Sequence, residues 1–263
     1  MIKEDQILLN HIGDKVQQRD QNYMMTATGF LDLRQQSLVK RWCMTEHIDR
    51  WTLYGGYDDA ERKICLFFPD YVPWEEGTDP GREWLVQNPQ DDPLVVLRVT
   101  HSGQKELTHR DYLGSILNLG IKRDPVGDIL VRPDGCDIVV ERAMGEFLLH
   151  NYLQVGRTSI RREVIDVGQI DVSQIRFEES SDTVASLRLD NLIAAGFRTS
   201  RTKAADAIGA GLVFVDGLAV EKPDASVAEG SKLVWRGKGK ILLHDVGETT
   251  RKGRIFVRFR RYI

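Results

Sequence analysis

SLRLDNLIAAGFRTSRTKAADAIGAGLVFVDG, residues 186–217, combines helical spacing, helix-capping residues and a hairpin turn in one short stretch. Its first part carries Leu189, Leu192 and Ile193, which are spaced as on one face of an amphipathic helix. Gly196 follows that apolar face, and glycine is the usual residue just past a helix end. We therefore predict a short helix that Gly196 ends.

The second part of the stretch predicts another helix and the start of a hairpin. Thr199 and Ser200 are good N-caps, so the second helix should begin directly after them. Two alanines and an isoleucine would form its buried face. Residues 212–215 form an apolar β-rich run, and Asp216-Gly217 is a typical two-residue hairpin turn. The expected order is therefore helix, helix, hairpin.

Basic residues cluster where the two helices should meet. Arg198, Arg201 and Lys203 lie near the start of the second helix, where unpaired N–H groups and the positive end of the helix dipole favour an anion. Thr199 and Ser200 add hydroxyl donors. A guanidinium group can hold a phosphate through two parallel hydrogen bonds. This pattern predicts a site for the phosphates of a nucleic acid.

A second basic group follows the hairpin. Strands are predicted at residues 232–236 and 241–244, around a Gly-Lys-Gly turn. Arg236, Lys238 and Lys240 surround that turn. The adjacent glycines should let the backbone approach a sugar-phosphate chain closely, so we interpret these three residues as a second RNA-binding edge.

Residues 186–246 resemble the RNA-binding domain first described in small-subunit ribosomal protein S-four. The shared pattern is Arg188-Leu189-Asp190, Leu192, Gly196, Ser200-Arg201, Ala204, Ile208, Gly211, Val213, Val215 and Gly217. In that family the two-helix edge and the adjoining hairpin bind structured RNA. The RNA contacts that the resemblance implies here are Arg188, Arg198, Thr199, Ser200, Arg201 and Lys203.

The middle of the chain alternates strand-like and helix-like segments. They lie at residues 94–100, 107–119, 128–131, 136–140, 142–153 and 160–165. Their order, β-α-β-β-α-β, is that of a ferredoxin-like sandwich and of the RNA-recognition motif. The two strands that would stack bases in that motif contain no aromatic residue here. Any RNA contact by this domain should therefore depend on charge and shape.

The whole chain is expected to be an α+β protein of three domains. They are a small N-terminal α/β domain at residues 1–80, the ferredoxin-like, RRM-like domain at 81–175, and the S-four-type RNA-binding domain at 181–263. In the first domain we predict two helices and a hairpin formed by residues 51–54 and 64–68. Residues 69–93 are rich in proline and acidic side chains, and we interpret them as a linker or long loop.

Nearly the full length of the chain resembles the bacterial YlmH family. The stretch HRDYLGSILNLGIKRDPVGDILV, residues 109–131, ahead of the S-four-type module carries that similarity. The resemblance implies a cytoplasmic RNA-binding protein encoded near cell-division genes. It also implies a role in ribosome-associated quality control, with the large ribosomal subunit and its tRNA as partners when translation has stalled.

Charge and composition agree with a nucleic-acid binder. Residues 181–263 hold 15 Lys and Arg against 9 Asp and Glu, a net charge of +6, whereas residues 1–180 carry −9. The three cysteines, Cys43, Cys65 and Cys136, form no CxxC pair, which indicates a reduced, cytoplasmic protein without a zinc site. No signal-peptide core and no apolar run of about 20 residues occurs, so no membrane contact is expected.

No motif for catalysis or for a nucleotide cofactor is present. The P-loop and the G-x-G-x-x-G pattern are both absent, and we expect no cofactor, no metal and no small-molecule substrate. Two other hypotheses stay open. Residues 1–180 could be the catalytic domain of an RNA-modifying enzyme, such as a pseudouridine synthase relative, although Ile193 stands where that enzyme motif has Thr or Ser. The acidic front half could instead make the protein a cell-division adaptor.

Overall fold

The computed structural model describes residues 3–75, 78–102, 106–172 and 177–262. The chain folds into two compact units, residues 1–174 and residues 175–263. The mixed α+β architecture predicted from the sequence is confirmed, whereas the division of the first unit at residue 80 stays a prediction. Among the described residues, no helix has the length and apolar character that crossing a lipid bilayer requires.

The front of the first unit is a three-stranded antiparallel sheet with helices. Its elements are α1 (Lys3–Asn22), β1 (Thr26–Ala27), α2 (Leu33–Thr45), β2 (Trp51–Tyr54), β3 (Ile64–Phe67) and α3 (Pro80–Gln87). The strand order is β1-β3-β2, and the predicted hairpin of β2 and β3 is confirmed. A capping box between Asp32 and Gln35 starts α2, because each side chain accepts a hydrogen bond from the other residue's backbone N–H.

One expectation for this region is wrong. The proline-rich stretch at 69–93 is not a loop throughout, because Asp79 caps a helix and Pro80 takes its first position, where the missing N–H costs nothing. In α1, Ile7 is 59% exposed, whereas Ile12 is fully buried. Leu9 rather than Ile7 packs against the core around Ile12.

The ferredoxin-like sandwich is confirmed. Its elements are β4 (Leu94–Thr100), α4 (His109–Leu117), β5 (Val126–Arg132), β6 (Gly135–Glu141), α5 (Arg142–Asn151), the small hairpin β7 (Gln154–Val155) and β8 (Thr158–Ser159), and β9 (Arg161–Ile165). The sheet order is β5-β6-β4-β9, and all its neighbouring strands are antiparallel. Both helices cover one face of the sheet, where Tyr112 and Leu148 pack against Leu97 and Ile138.

The opposite face of this sheet, which RNA-recognition motifs use for base stacking, is largely occupied. At one end Val96 and Val139 are buried against Phe68 and other apolar side chains of the front region. At the other end Arg98 donates to the buried carboxylate of Asp137 at 2.8 Å from the neighbouring strand. The central positions of this face therefore serve packing and ion pairing within the first unit.

The second unit is a six-stranded antiparallel sheet with two helices on one face. Its elements are β10 (Phe177–Val184), α6 (Leu189–Gly196), α7 (Arg201–Gly209), β11 (Val213–Val215), β12 (Leu218–Ala219), β13 (Lys232–Trp235), β14 (Gly239–Thr249) and β15 (Ile255–Tyr262). The strand order is β10-β15-β14-β13-β11-β12. Leu192 and Ile208 from the helices pack against Leu243 and Phe259 of the sheet.

The predicted helix pair and hairpin are confirmed in this unit. The Asp216-Gly217 turn joins β11 and β12, and both residues have positive φ, +47° and +79°, as a type I′ turn requires. Gly196 ends α6 as expected and also permits close packing. A Cβ atom at this position would lie 2.1 Å from Cδ1 of Ile241, so a larger residue would require the buried Ile241 side chain to move.

Two long strands lie outside residues 186–246, the stretch that carries the resemblance, and β15 falls within the domain predicted at 181–263. Strand β10 precedes the helices, and β15 follows β14 and pairs with both β10 and β14. In β15, Val257 and Phe259 are buried, whereas Arg258 is exposed. This alternation is a strand signal that the sequence already contained.

Candidate nucleic-acid interface

The turn between α6 and α7 is tight, and two backbone hydrogen bonds close it. Arg198 adopts a left-handed conformation with φ of +51°, and its N–H donates to the carbonyl of Ala195 at 3.2 Å. The N–H of Thr199 donates to the carbonyl of Ala194 at 2.9 Å. This is the Schellman pattern, which normally has glycine in the left-handed position. The backbone therefore holds the start of the Arg198 side chain in a defined place.

Ser200 caps α7, as predicted. Its Oγ accepts the N–H of Lys203 at 3.2 Å, which satisfies one of the unpaired donors at the helix start. The side chains of Ser200, Arg201 and Lys203 are all exposed. The first turn of α7 therefore presents a hydroxyl and two cations to solvent.

Arg188 and Arg201 converge on one carboxylate. Asp190, only 3% exposed, accepts from Nη2 of Arg188 at 3.1 Å and from Nη2 of Arg201 at 2.8 Å. Nε of each arginine also donates to Asp190, at 3.2 and 2.9 Å. The arginine side chains stay 41% and 57% exposed. The ion pairs thus hold two guanidinium groups side by side at the surface without burying them.

The charge of Asp190 is maintained by these partners. Burial alone raises the pKa of its carboxyl, but the hydrogen bonds from Arg188 and Arg201 outweigh that effect, and the pKa lies below its ordinary value. The three side chains together therefore carry a net charge of +1. Since Nε and Nη2 of both arginines face Asp190, their Nη1 groups have no hydrogen-bond acceptor among the described residues.

Arg198 does not join this cluster. No hydrogen bond or ion pair connects it to Asp190 in the described part of the chain. It lines a separate pocket together with residues of β10 and β15. The basic cluster predicted at the helix junction therefore consists of two separate sites, one around Asp190 and one around Arg198.

The second basic edge is also divided by the structure. The guanidinium of Arg236 lies 5.0 Å from the ring centroid of Phe214, whereas Nζ of Lys238 lies 5.9 Å from that of Trp235. Trp235 faces the helices, because it belongs to the core beneath them. Phe214 and Lys240 both stand opposite Val234 in the strand register, so they share the other face of the sheet. Only Lys238 therefore lies on the helix side.

Sequence reasoning missed two residues of this region. Asp190 belongs to the shared pattern, but its role in gathering Arg188 and Arg201 is visible only in three dimensions. Arg261 was not considered, and it lines the same pocket as Arg198. The period-two pattern of β15 could have placed Arg261 on the helix-facing side, since it lies two residues after the buried Phe259.

Two regions of the chain match known protein families. Residues 94–169 match the family model described as "Putative RNA-binding domain in YlmH", and residues 187–233 match the S4 domain. The Bacillus subtilis (strain 168) protein named ribosome-associated protein quality control protein P2 is 32% identical over 243 residues, covering 92% of this chain and 89% of that protein. The chain belongs to the YlmH family.

A solved structure carries the same family name. It is described as cell division protein ylmH from Streptococcus pneumoniae, with 24% identity and a TM-score of 0.49, and the match covers 65% of this chain and 97% of that one. The two family models and the Bacillus subtilis relative confirm the YlmH-family resemblance and the S-four-type module predicted from the sequence. The YlmH model covers β4 to β9, and the S4 model covers the helix pair with β11 and β12.

Proposed function

We propose that this YlmH-family protein is a non-catalytic RNA-binding factor that acts on the large ribosomal subunit and its tRNA in quality control of stalled translation. The observation that supports the proposal is the exposed pair of arginines, Arg188 and Arg201, held together by Asp190 inside an S4 domain. The name of the Bacillus subtilis relative supports the ribosomal part of the proposal.

The arginine pair is suited to a phosphate because it is already ordered. Binding normally requires long flexible side chains to lose rotamer freedom, at a cost of about 0.5–1.5 kcal/mol for each side chain. Asp190 has fixed both guanidinium groups before RNA arrives, while their Nη1 donors remain available. The N-terminal turn of α7, with Ser200 and Lys203, adds donors for an adjacent phosphate.

A binding experiment with a matched control tests this proposal. The double variant Arg188→Gln/Arg201→Gln removes the paired guanidinium groups, and Arg251→Gln/Lys252→Gln removes two exposed charges from the turn between β14 and β15. Purified large subunits, small subunits and bulk tRNA serve as separate probes. We expect the first variant to bind large subunits or tRNA at least about tenfold more weakly, since a charge-assisted hydrogen bond contributes about 1.5–3 kcal/mol, and the control to change little.

The proposal fails if both double variants bind large subunits and tRNA as the wild type does. It also fails if the wild-type protein binds only small subunits. Far-UV circular dichroism of each variant confirms that a weaker interaction does not reflect unfolding.

A further inference from the structure

The pocket lined by Arg198 and Arg261 is chemically distinct from the Asp190 cluster. We propose that it binds one backbone phosphate of the RNA, which extends the interface from the helix junction to the C-terminal strand β15. This inference rests on the proposed RNA-binding function. It adds a contact, Arg261, that lies outside the matched S4 region of residues 187–233.

The pocket has the size and lining of a small anion site. Its volume is about 110 Å³, and its walls come from the end of α6 and from β10, β14 and β15. The lining side chains with polar groups are Glu178, Ser180, Arg198 and Arg261. Two guanidinium groups and a hydroxyl group thus surround a space that a phosphate group can enter.

Arg261 is held by an aromatic row. Its guanidinium carbon lies 5.5 Å from the ring centroid of Phe197, and Phe197 meets Trp235 edge-on at 5.5 Å. Lys238 lies over the same Trp235 ring at 5.9 Å. A cation held over an aromatic ring is attracted to the ring face and keeps its N–H donors for other partners. The rings of Phe197 and Trp235 thus link Arg261 and Lys238 on the helix-facing side of the sheet.

Arg261 differs from its neighbours in the strand. Arg258 pairs with Asp245 at 3.6 Å and Arg260 pairs with Glu179 at 2.9 Å. Neither Arg198 nor Arg261 forms an ion pair with any residue that the structure describes. Of the described carboxylates, Glu178 lines the same pocket, and it forms no ion pair with either guanidinium group, so both groups can take an external anion as partner.

Glu178 places one negative charge in the pocket, so the direction of its effect on RNA binding can be predicted. It stands directly opposite Arg261 in the pairing of β10 with β15 and lines the pocket. Its carboxylate repels a phosphate at this distance scale, because like charges disfavour each other. If the pocket binds phosphate, removing this charge must strengthen RNA binding, whereas a purely structural pocket predicts no such gain.

The test uses the full-length protein with two probes, purified large-subunit ribosomal RNA and bulk tRNA, titrated over a series of salt concentrations. The variants are Arg261→Gln, Arg198→Gln and Glu178→Gln, with Arg251→Gln as the control of equal charge change. We expect Arg261→Gln and Arg198→Gln each to weaken binding about fivefold or more. The log-log salt slope should fall by about 0.7–0.9 for the lost phosphate contact, and Glu178→Gln should tighten binding about threefold.

Distinct outcomes separate this inference from the proposed function. If the wild type binds RNA but Arg261→Gln behaves like Arg251→Gln, the pocket is not a phosphate site and the proposed function stands. An unchanged affinity of Glu178→Gln overturns the pocket in the same way. If the wild type binds neither probe, both the function and the pocket are wrong. Arg261→Lys, which keeps the charge but loses the planar fork, should fall between the wild type and Arg261→Gln.

Discussion

At the scale of single residues, Asp190 links the stability of the second unit to the arrangement of its cations. The carboxylate is nearly inaccessible to water, yet it is bonded to two arginines that remain at the surface. Removing its charge should release both guanidinium groups and leave their positions undefined. Asp190 is therefore a positioning residue, and Arg188 and Arg201 are the groups that would touch RNA.

Asp190→Asn should lower the free energy of unfolding by about 1–2 kcal/mol at pH 7, because charged hydrogen bonds are lost while the arginines can still reach water. Since the folded pKa of Asp190 lies below its ordinary value of about 3.9, its contribution is complete well above that ordinary value and is lost as the pH falls through the folded pKa. The difference between wild type and variant should thus shrink between pH 5 and pH 3 in urea unfolding, roughly the range that surrounds this titration.

The exposed Asp206→Asn in α7 is the control for this measurement, and it should change stability by less than about 0.5 kcal/mol. A difference between wild type and Asp190→Asn that stays constant down to pH 3 would contradict the assignment of a lowered pKa to this carboxyl.

The sequence could predict which cations surround the helix junction but not which of them meet. Arg188 is a sequence neighbour of Asp190, whereas the packing of α6 against α7 brings Arg201 to the same carboxylate. Likewise, Arg236 and Lys238 are both basic residues beside the same turn. In the structure they lie over different aromatic rings because of the strand register. Tertiary placement, which no local pattern encodes, decides these contacts.

At the scale of elements, local signals predicted the strands and helices where they were strong. The β-rich run LVVLRVT predicted the observed bounds of β4, Leu94–Thr100. The short α3 was missed because its eight residues lie among prolines and acidic side chains, which indicate loops. Its start signal, Asp79 followed by Pro80, was nevertheless present in the sequence.

Two glycines in the ferredoxin-like sandwich should respond in opposite ways to alanine. At Gly135 in β6, a Cβ atom would lie 1.9 Å from the carbonyl oxygen of Val99, a backbone atom in the middle of the sheet. Gly135→Ala should therefore lower the free energy of unfolding by about 2–4 kcal/mol. At Gly114 inside α4, no neighbouring atom lies within 4 Å, so Gly114→Ala should raise it by about 0.5–1 kcal/mol.

Chemical unfolding followed by circular dichroism measures both glycine variants under one set of conditions. Equal effects of the two substitutions would show that the close approach of Gly135 to β4 does not exist in solution.

At the scale of the whole molecule, the uneven charge should govern how fast RNA is found. The basic region at 181–263 attracts RNA, whereas the acidic region at 1–180 repels it, so encounters should favour one orientation. We expect the association rate constant with large-subunit ribosomal RNA to fall about tenfold or more between 50 and 300 mM NaCl. The dissociation rate should change less.

Stopped-flow fluorescence separates the two rates. Sucrose at the osmolality of the higher salt concentration is the control, and it should alter association only through viscosity. An association rate that is insensitive to salt would mean that the charge asymmetry has no part in recognition.

Val96 and Val139 sit on the sheet face that the front region covers. A fragment that began at residue 94 would therefore expose this apolar face to solvent. Exposed apolar sheet surfaces promote aggregation. The front region thus keeps this apolar face of the sandwich away from water. Any truncated form that contains the sandwich should therefore also contain the front region.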